Sequence, residues 1–126
     1  MGLRHAWRLS LLAGARVSSP SKRKGDRGEL EVQGIFRDQL GVGRRALGAG
    51  RKDDIGDVTG IPNLTVQVAN RKNVADTIRH KPIEVERQRE NAGTDFACTF
   101  VRLHGGDWRV VLTPDQFFAL YREAAA

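Results

Sequence analysis

The sequence predicts an α/β fold whose elements run α-β-β-β-α-β-β-α, and three observations carry that prediction. Val32, Ile35, Phe36 and Leu40 recur at helical spacing. Ile61-Pro62-Asn63 is a turn signal with β-branched residues on both sides, the pattern of two antiparallel strands. Phe96 to Leu103 is apolar on both of its alternating sets, as expected of a strand covered on two faces, and a turn and a second strand follow it.

Taken in order, residues 1–20 form a basic leader with no acidic residue. Its most apolar stretch, Leu9 to Ala15, is interrupted by Ser10 and hemmed in by Arg8 and Arg16. That stretch is shorter than a secretory signal requires. It reads either as a short amphipathic helix or as a flexible leader. Ser18-Ser19-Pro20-Ser21 is a linker, or a helix start with Pro20 at the first helical position. The folded domain is therefore placed at residues 21–126.

The first helix is predicted from about Lys24 to Leu40, and Gly41 and Gly43 end it. Gly25, Gly28 and Gly34 weaken it by about 1 kcal/mol each relative to alanine. Gly25 and Gly28 are explained if another backbone or a phosphate approaches closely there. Glu29 lies seven residues before Phe36, nearly on the same side of the helix. It is either an acid favoured by the helix dipole or a functional carboxylate near the buried stripe.

A short strand is expected at Arg44 to Leu47, then a basic loop, Gly48 to Lys52, that lacks the Gly-Lys-Ser/Thr ending of a phosphate-binding loop. In the hairpin that follows, Asp57 and Gln67 are equally distant from Pro62 and so come opposite each other. Leu64, Val66 and Val68 form an apolar face. Asp57, Gln67 and Ala69 share the other, where a carboxylate and an amide oxygen converge.

Beyond the hairpin, a helical region is expected to break at Pro82 and resume from Ile83 to Glu90, closed by Asn91-Ala92-Gly93. Gln88 is read as an exposed surface residue of this helix, with a hydrogen bond near the site as the alternative. Strands follow at Phe96 to Leu103 and Trp108 to Leu112, joined by the His104–Asp107 turn. Thr113, Pro114 and Gln116 then supply an N-cap, a first-turn proline and a capping-box glutamine. Phe117, Leu120 and Tyr121 are expected to be the packing face of this last helix.

A chain of 126 residues with 40% hydrophobic and 29% charged residues fits one globular domain with a real core. No apolar run approaches the ~20 residues of a membrane span. Cys98 is the only cysteine, which excludes an intrachain disulfide, suits a reducing compartment and is assigned to the core. His5, His80 and His104 are scattered, against a structural zinc site. Residues 1–28 hold seven basic residues and one acid, whereas the rest has 14 of each. The net charge of +6 thus belongs to an N-terminal arm, suited to nucleic-acid phosphates or to simple solvation.

Lys24-Gly25-Asp26-Arg27-Gly28-Glu29 resembles the Lys-Gly-x-x-x-Glu opening of archaeal and phage Holliday junction resolvases in the PD-(D/E)xK nuclease superfamily. Gly56-Asp57-Val58, followed by Gln67-Val68-Ala69-Asn70, resembles that family's metal-binding aspartate and its (Glu/Gln)-x-Lys strand. The likeness covers roughly residues 20–122. It implies a restriction-endonuclease-like fold, a central mixed sheet of about five strands flanked by helices. It also implies a homodimer that cuts branched DNA in a bacterial or phage-infected cytoplasm.

On that resemblance Glu29, Asp57, Gln67 and the carbonyl of Val68 hold Mg²⁺ or Mn²⁺, which prefers oxygen ligands and keeps several waters. Ala69 stands where the family has lysine, and Arg71 is the nearest cation on the same face if the strand continues. A guanidinium there gives electrostatic help but not base catalysis. Lys22, Arg23, Lys24 and Arg27 are assigned to backbone phosphates, with Arg44, Arg45, Arg51 and Lys52 extending the groove. The alternatives are a DNA-binding or adaptor protein that keeps the fold without cutting, and a basic RNA-binding structural protein.

Overall fold

The structure, a computed structural model, describes residues 19–46 and 54–126. The leader up to Ser18, Asp53 and the basic-loop residues Arg51 and Lys52 lie outside them. The elements are α1 (Pro20–Leu40), β1 (Arg44–Arg45), β2 (Val58–Thr59), β3 (Leu64–Ala69), α2 (Val74–Ala92), β4 (Phe96–Arg102), β5 (Trp108–Val111) and α3 (Pro114–Ala125). This is the predicted order. Among the described residues no helix is long and apolar enough to cross a membrane.

The five strands form one mixed sheet in the order β1-β2-β3-β4-β5. Every pairing is antiparallel except β3 with β4, which run parallel because α2 carries the chain across between them. Val58 pairs with Val66, the register that brings Asp57 opposite Gln67 as the symmetry about Pro62 requires. Gly56 makes the entry to β2 possible. Its φ is +97°, and a Cβ there would lie 2.8 Å from the Val66 carbonyl oxygen.

Helix α1 covers one sheet face. Val32, Phe36, Val58, Ile61, Val66 and Cys98 form its core, with the Phe36 and Phe100 ring centroids 5.2 Å apart. Leu40, expected on this stripe, is exposed because the helix end projects past the sheet. The helix starts at Pro20, earlier than the Lys24 expected, because the Ser19 side chain caps it by accepting from the Lys22 amide at 3.1 Å. Of Gly25 and Gly28, only Gly28 makes a close approach. A Cβ there would lie 3.0 Å from the Asn70 Cβ and 3.5 Å from Val68, whereas Gly25 faces open space.

The other sheet face is covered too, by α2 and α3. Thr65, Gln67 and Ala69 of β3 and Ala97, Thr99 and Val101 of β4 are buried beneath them. The polar face inferred for the hairpin is thus an interior face. Helix α2 does not break at Pro82. It runs unbroken for 19 residues, with Pro82 buried on its packed side beside Val85 and Gln88. The lost backbone bond costs about 3 kcal/mol in a free helix, and burial of the ring against the sheet side offsets it.

Helix α3 departs from expectation on both counts. Thr113 caps it, accepting from the Gln116 amide at 3.2 Å, but Gln116 does not complete a capping box. Its side chain turns inward instead, accepting from the Ala97 amide at 3.0 Å and donating to Glu86 at 3.3 Å. That docks the helix by its polar side. Phe117 and Tyr121 are therefore 51% and 62% exposed, and they stack on each other at 6.2 Å rather than on the sheet.

Candidate active site

Asp57 is held in place by its own backbone. Its amide donates to the Val66 carbonyl and its carbonyl accepts from the Ala46 amide, both at 2.8 Å. The side chain continues where the β2–β3 ladder ends: Oδ2 accepts from the Val68 amide at 2.8 Å. The carboxylate is therefore fixed at the edge of β3, directly across from Gln67.

A cavity of about 620 Å³ opens at this point between α1, the end of β3 and α2. Glu29, Asp57, Gln67 and Val68, which the sequence assigned to one metal site, all line it. They reach it from α1, from β3 and from the residue just before β2, and the close contact at Gly28 sets α1 near the end of β3. The Gln67 side chain is 2% exposed and donates through Nε2 to Glu84 at 3.3 Å, but its Oε1 is buried without a hydrogen-bond partner. A buried, unpaired amide oxygen costs about 1–3 kcal/mol, so its position is suggestive of a ligand.

Electrostatics agree with the geometry. Burial is the main cause that pushes the Asp57 carboxyl up to about 6. The Val68 amide acts against the rise, the nearby Glu29 and Asp54 carboxylates add to it, and Lys81 opposes it. A carboxylate destabilised in this way gains from a cation beside it.

Glu29 is already engaged. Its Oε1 accepts from Arg45 Nε at 2.8 Å, and the same guanidinium also grips Asp26. Among the described residues no three of His, Cys, Asp and Glu converge closely enough to hold a metal ion by themselves. The candidate donors are nonetheless oxygens, the carboxylates of Asp57 and Glu29 and the unpartnered amide oxygen of Gln67. That suits a hard divalent cation, which takes one or two protein carboxylates and keeps its waters.

Ala69 and Arg71 do not behave as expected. Ala69 is 2% exposed beneath α2 and does not line the cavity, so a lysine there would be driven into packed interior. Strand β3 ends at Ala69, which leaves Arg71 in the following loop, exposed and at the cavity rim. Lys81, two turns into α2 and paired with Glu84 at 3.2 Å, also lines the cavity, beside Lys24, Arg71 and Lys72.

Two more residues of the site escaped the sequence reading, and a third, Gln88, was given a site role only as the alternative. Gln88, expected on the surface, is 4% exposed and donates to Asp54 Oδ2 at 2.8 Å. Its Oε1 is buried and unpaired, like that of Gln67. Asp54 and Glu84 also line the cavity. The adjacent Asp53-Asp54 acids were a signal for one of them. Lys81 and Glu84 gave none while α2 was read as broken at Pro82, because their common side is defined only by a continuous helix.

Of the residues assigned to phosphates, Lys24 lines the cavity, Arg27 is exposed and Lys22 pairs with Asp26 at 3.2 Å. Arg23 is partly buried. Cys98 lies in the core as expected, its thiol pushed up to about 12 by burial, which removes it from nucleophilic chemistry. No family model, curated protein or solved structure matches the chain.

Proposed function

We propose that the chain is a metal-dependent endonuclease that hydrolyses DNA phosphodiester bonds, with the restriction-endonuclease-like form of its α/β fold and junction-resolvase-like action as a homodimer on branched DNA. One observation carries this reading: Glu29, Asp57 and Gln67, distant in sequence, line a single cavity, and the Gln67 amide oxygen is buried without a hydrogen-bond partner. Asp57, Gln67 and the Val68 carbonyl would hold Mg²⁺ or Mn²⁺, with Glu29 supplying a second carboxylate from the Arg45 clasp. When bound, the metal supplies Lewis-acid polarisation of the phosphate and a more acidic water.

The chain's own residues do the rest. Lys81 places an ammonium where charge develops on the phosphate, the task that Ala69 leaves open. Lys24 and Arg71, on the rim, bind the strand and orient it. Asp57 must be ionised to act, so activity is expected to fall as pH drops below about 6 in weakly bound metal.

The test is cleavage of a four-way junction, a flap and a plain duplex with Mg²⁺ or Mn²⁺. Asp57→Asn is expected to lower the rate at least 100-fold and Lys81→Met about 100-fold, with DNA binding retained in both. Binding of every substrate without cleavage would instead support a non-catalytic DNA-binding or adaptor protein. The Arg45 grip on Glu29 favours that second reading.

A further inference from the structure

A second cavity, of about 260 Å³, adjoins the first and shares Lys24, Asn70, Arg71 and Lys72 with it. Arg102, Leu103, His104 and Gly105 complete its lining, and no acidic residue contributes. Four formal positive charges thus face a small concavity, whereas the neighbouring cavity sets the five carboxylates of Glu29, Asp54, Asp57, Asp76 and Glu84 beside its cations.

The cationic wall is built rather than incidental. Asn70 Nδ2 donates to the Lys24 carbonyl at 2.9 Å, tying the loop after β3 to α1. His104 Nε2 is 3.0 Å from the Lys72 carbonyl, tying the β4–β5 turn to the same loop. That carbonyl only accepts, so Nε2 carries the hydrogen. Arg102 is steered by an ion pair with Glu31 at 3.3 Å and lies against the turn glycine Gly106. The Lys24, Arg71 and Lys72 side chains have no hydrogen-bond or ion-pair partner among the described residues, so their donors are available to a ligand.

We infer that this basic cavity seats one backbone phosphate of a nucleic-acid strand, next to the phosphodiester that occupies the acidic cavity. The assignment rests on the nuclease reading for its register, because the shared wall makes the two cavities neighbouring stations along one strand. Its function is to fix which phosphodiester enters the acidic cavity. Phosphate contacts of this kind position a strand without reading its sequence.

The test uses the full chain and an end-labelled duplex in EDTA, followed by fluorescence anisotropy across a salt series. Loss of one phosphate contact should reduce the slope of log affinity against log salt by about 1. Lys72→Ala/Arg102→Gln is expected to do so, whereas Arg87→Ala/Arg122→Ala, exposed on α2 and α3, leaves the slope unchanged. If the double variant fails to fold, Lys72→Ala alone serves, since its side chain supports nothing else in the fold. In parallel, a neutral methylphosphonate is placed at successive linkages of one strand. One position should weaken wild-type binding about tenfold and have no further effect on the variant.

An unchanged salt slope, or a methylphosphonate effect equal in both proteins, overturns the inference. So does saturable displacement of DNA by sub-millimolar inorganic phosphate at constant ionic strength, lost in the variant, which would assign the cavity to free phosphate. Cleavage separates this result from the nuclease reading. Coupling without cleavage by the wild type keeps the phosphate site and removes the nuclease; cleavage without coupling does the reverse.

Discussion

The two faces of the central sheet are built from the same strands but do opposite work. On the α1 side, Val66 and Cys98 meet Val32 and Phe36 in an apolar core in which every buried residue is a hydrocarbon or a thiol. On the α2 side, one residue along, Gln67 and Thr99 are buried with Gln88 above them, and each of the three has an oxygen without a partner. Alternation of side chains along β3 therefore separates stability from chemistry at a spacing of one residue. The difference teaches that the α2 face retains polar groups at a cost in stability, as expected where a ligand is to be held.

The largest contrast comes from truncating the apolar face. Phe36→Ala is expected to destabilise by about 3–5 kcal/mol, read as a lower urea midpoint, because it opens a cavity against Phe100 and Val66. On the polar face the sign reverses. Asp57 holds its proton more tightly folded than unfolded, so its contribution to stability is present below pH 4 and is lost as pH rises through about 6. Asp57→Asn removes that loss and is expected to gain about 2–3 kcal/mol at pH 7.5 without metal, and nothing at pH 3.5. With saturating Mg²⁺ the wild type should recover the difference and the variant should not.

Smaller still is Gln67→Met, expected within about 1 kcal/mol of wild type because it removes an unpaired buried oxygen along with one long hydrogen bond. Its metal affinity, measured by calorimetry, should nevertheless fall. The smallest effect is Phe117→Ser/Tyr121→Ser, within about 0.5 kcal/mol, since both rings are solvent-exposed. Sedimentation of that variant tests whether the exposed rings hold the proposed homodimer: a monomer where the wild type is a dimer would place the interface on α3.

Where local chemistry decides, the sequence was a good guide. The Asp57–Gln67 register followed from the spacing about Pro62, the Gly93 cap from the Asn-Ala-Gly ending of α2, and the order of elements from alternation and turns. Where the partner decides, it was not. Phe117 and Tyr121 form the more apolar stripe of α3, yet Gln116 reaches the unpaired Ala97 amide and turns the helix the other way. Pro82 would break an isolated helix, but α2 has a sheet to lean on. Of the site, Glu29, Asp57 and Gln67 were visible as motif residues. Lys81 and Glu84 required the fold, because helical neighbours of a cavity carry no mark of it in one dimension.

The solitary Cys98 gives the molecule a built-in clock. Its sulfur sits in the apolar core with a thiol that resists ionisation, so alkylating reagents reach it only when the sheet opens. Since the chain has one cysteine, the rate of its modification counts openings at a single place without any label being added. A cation or a DNA strand that binds on the far side of the sheet, against α2, must then slow a reaction at an atom it never touches.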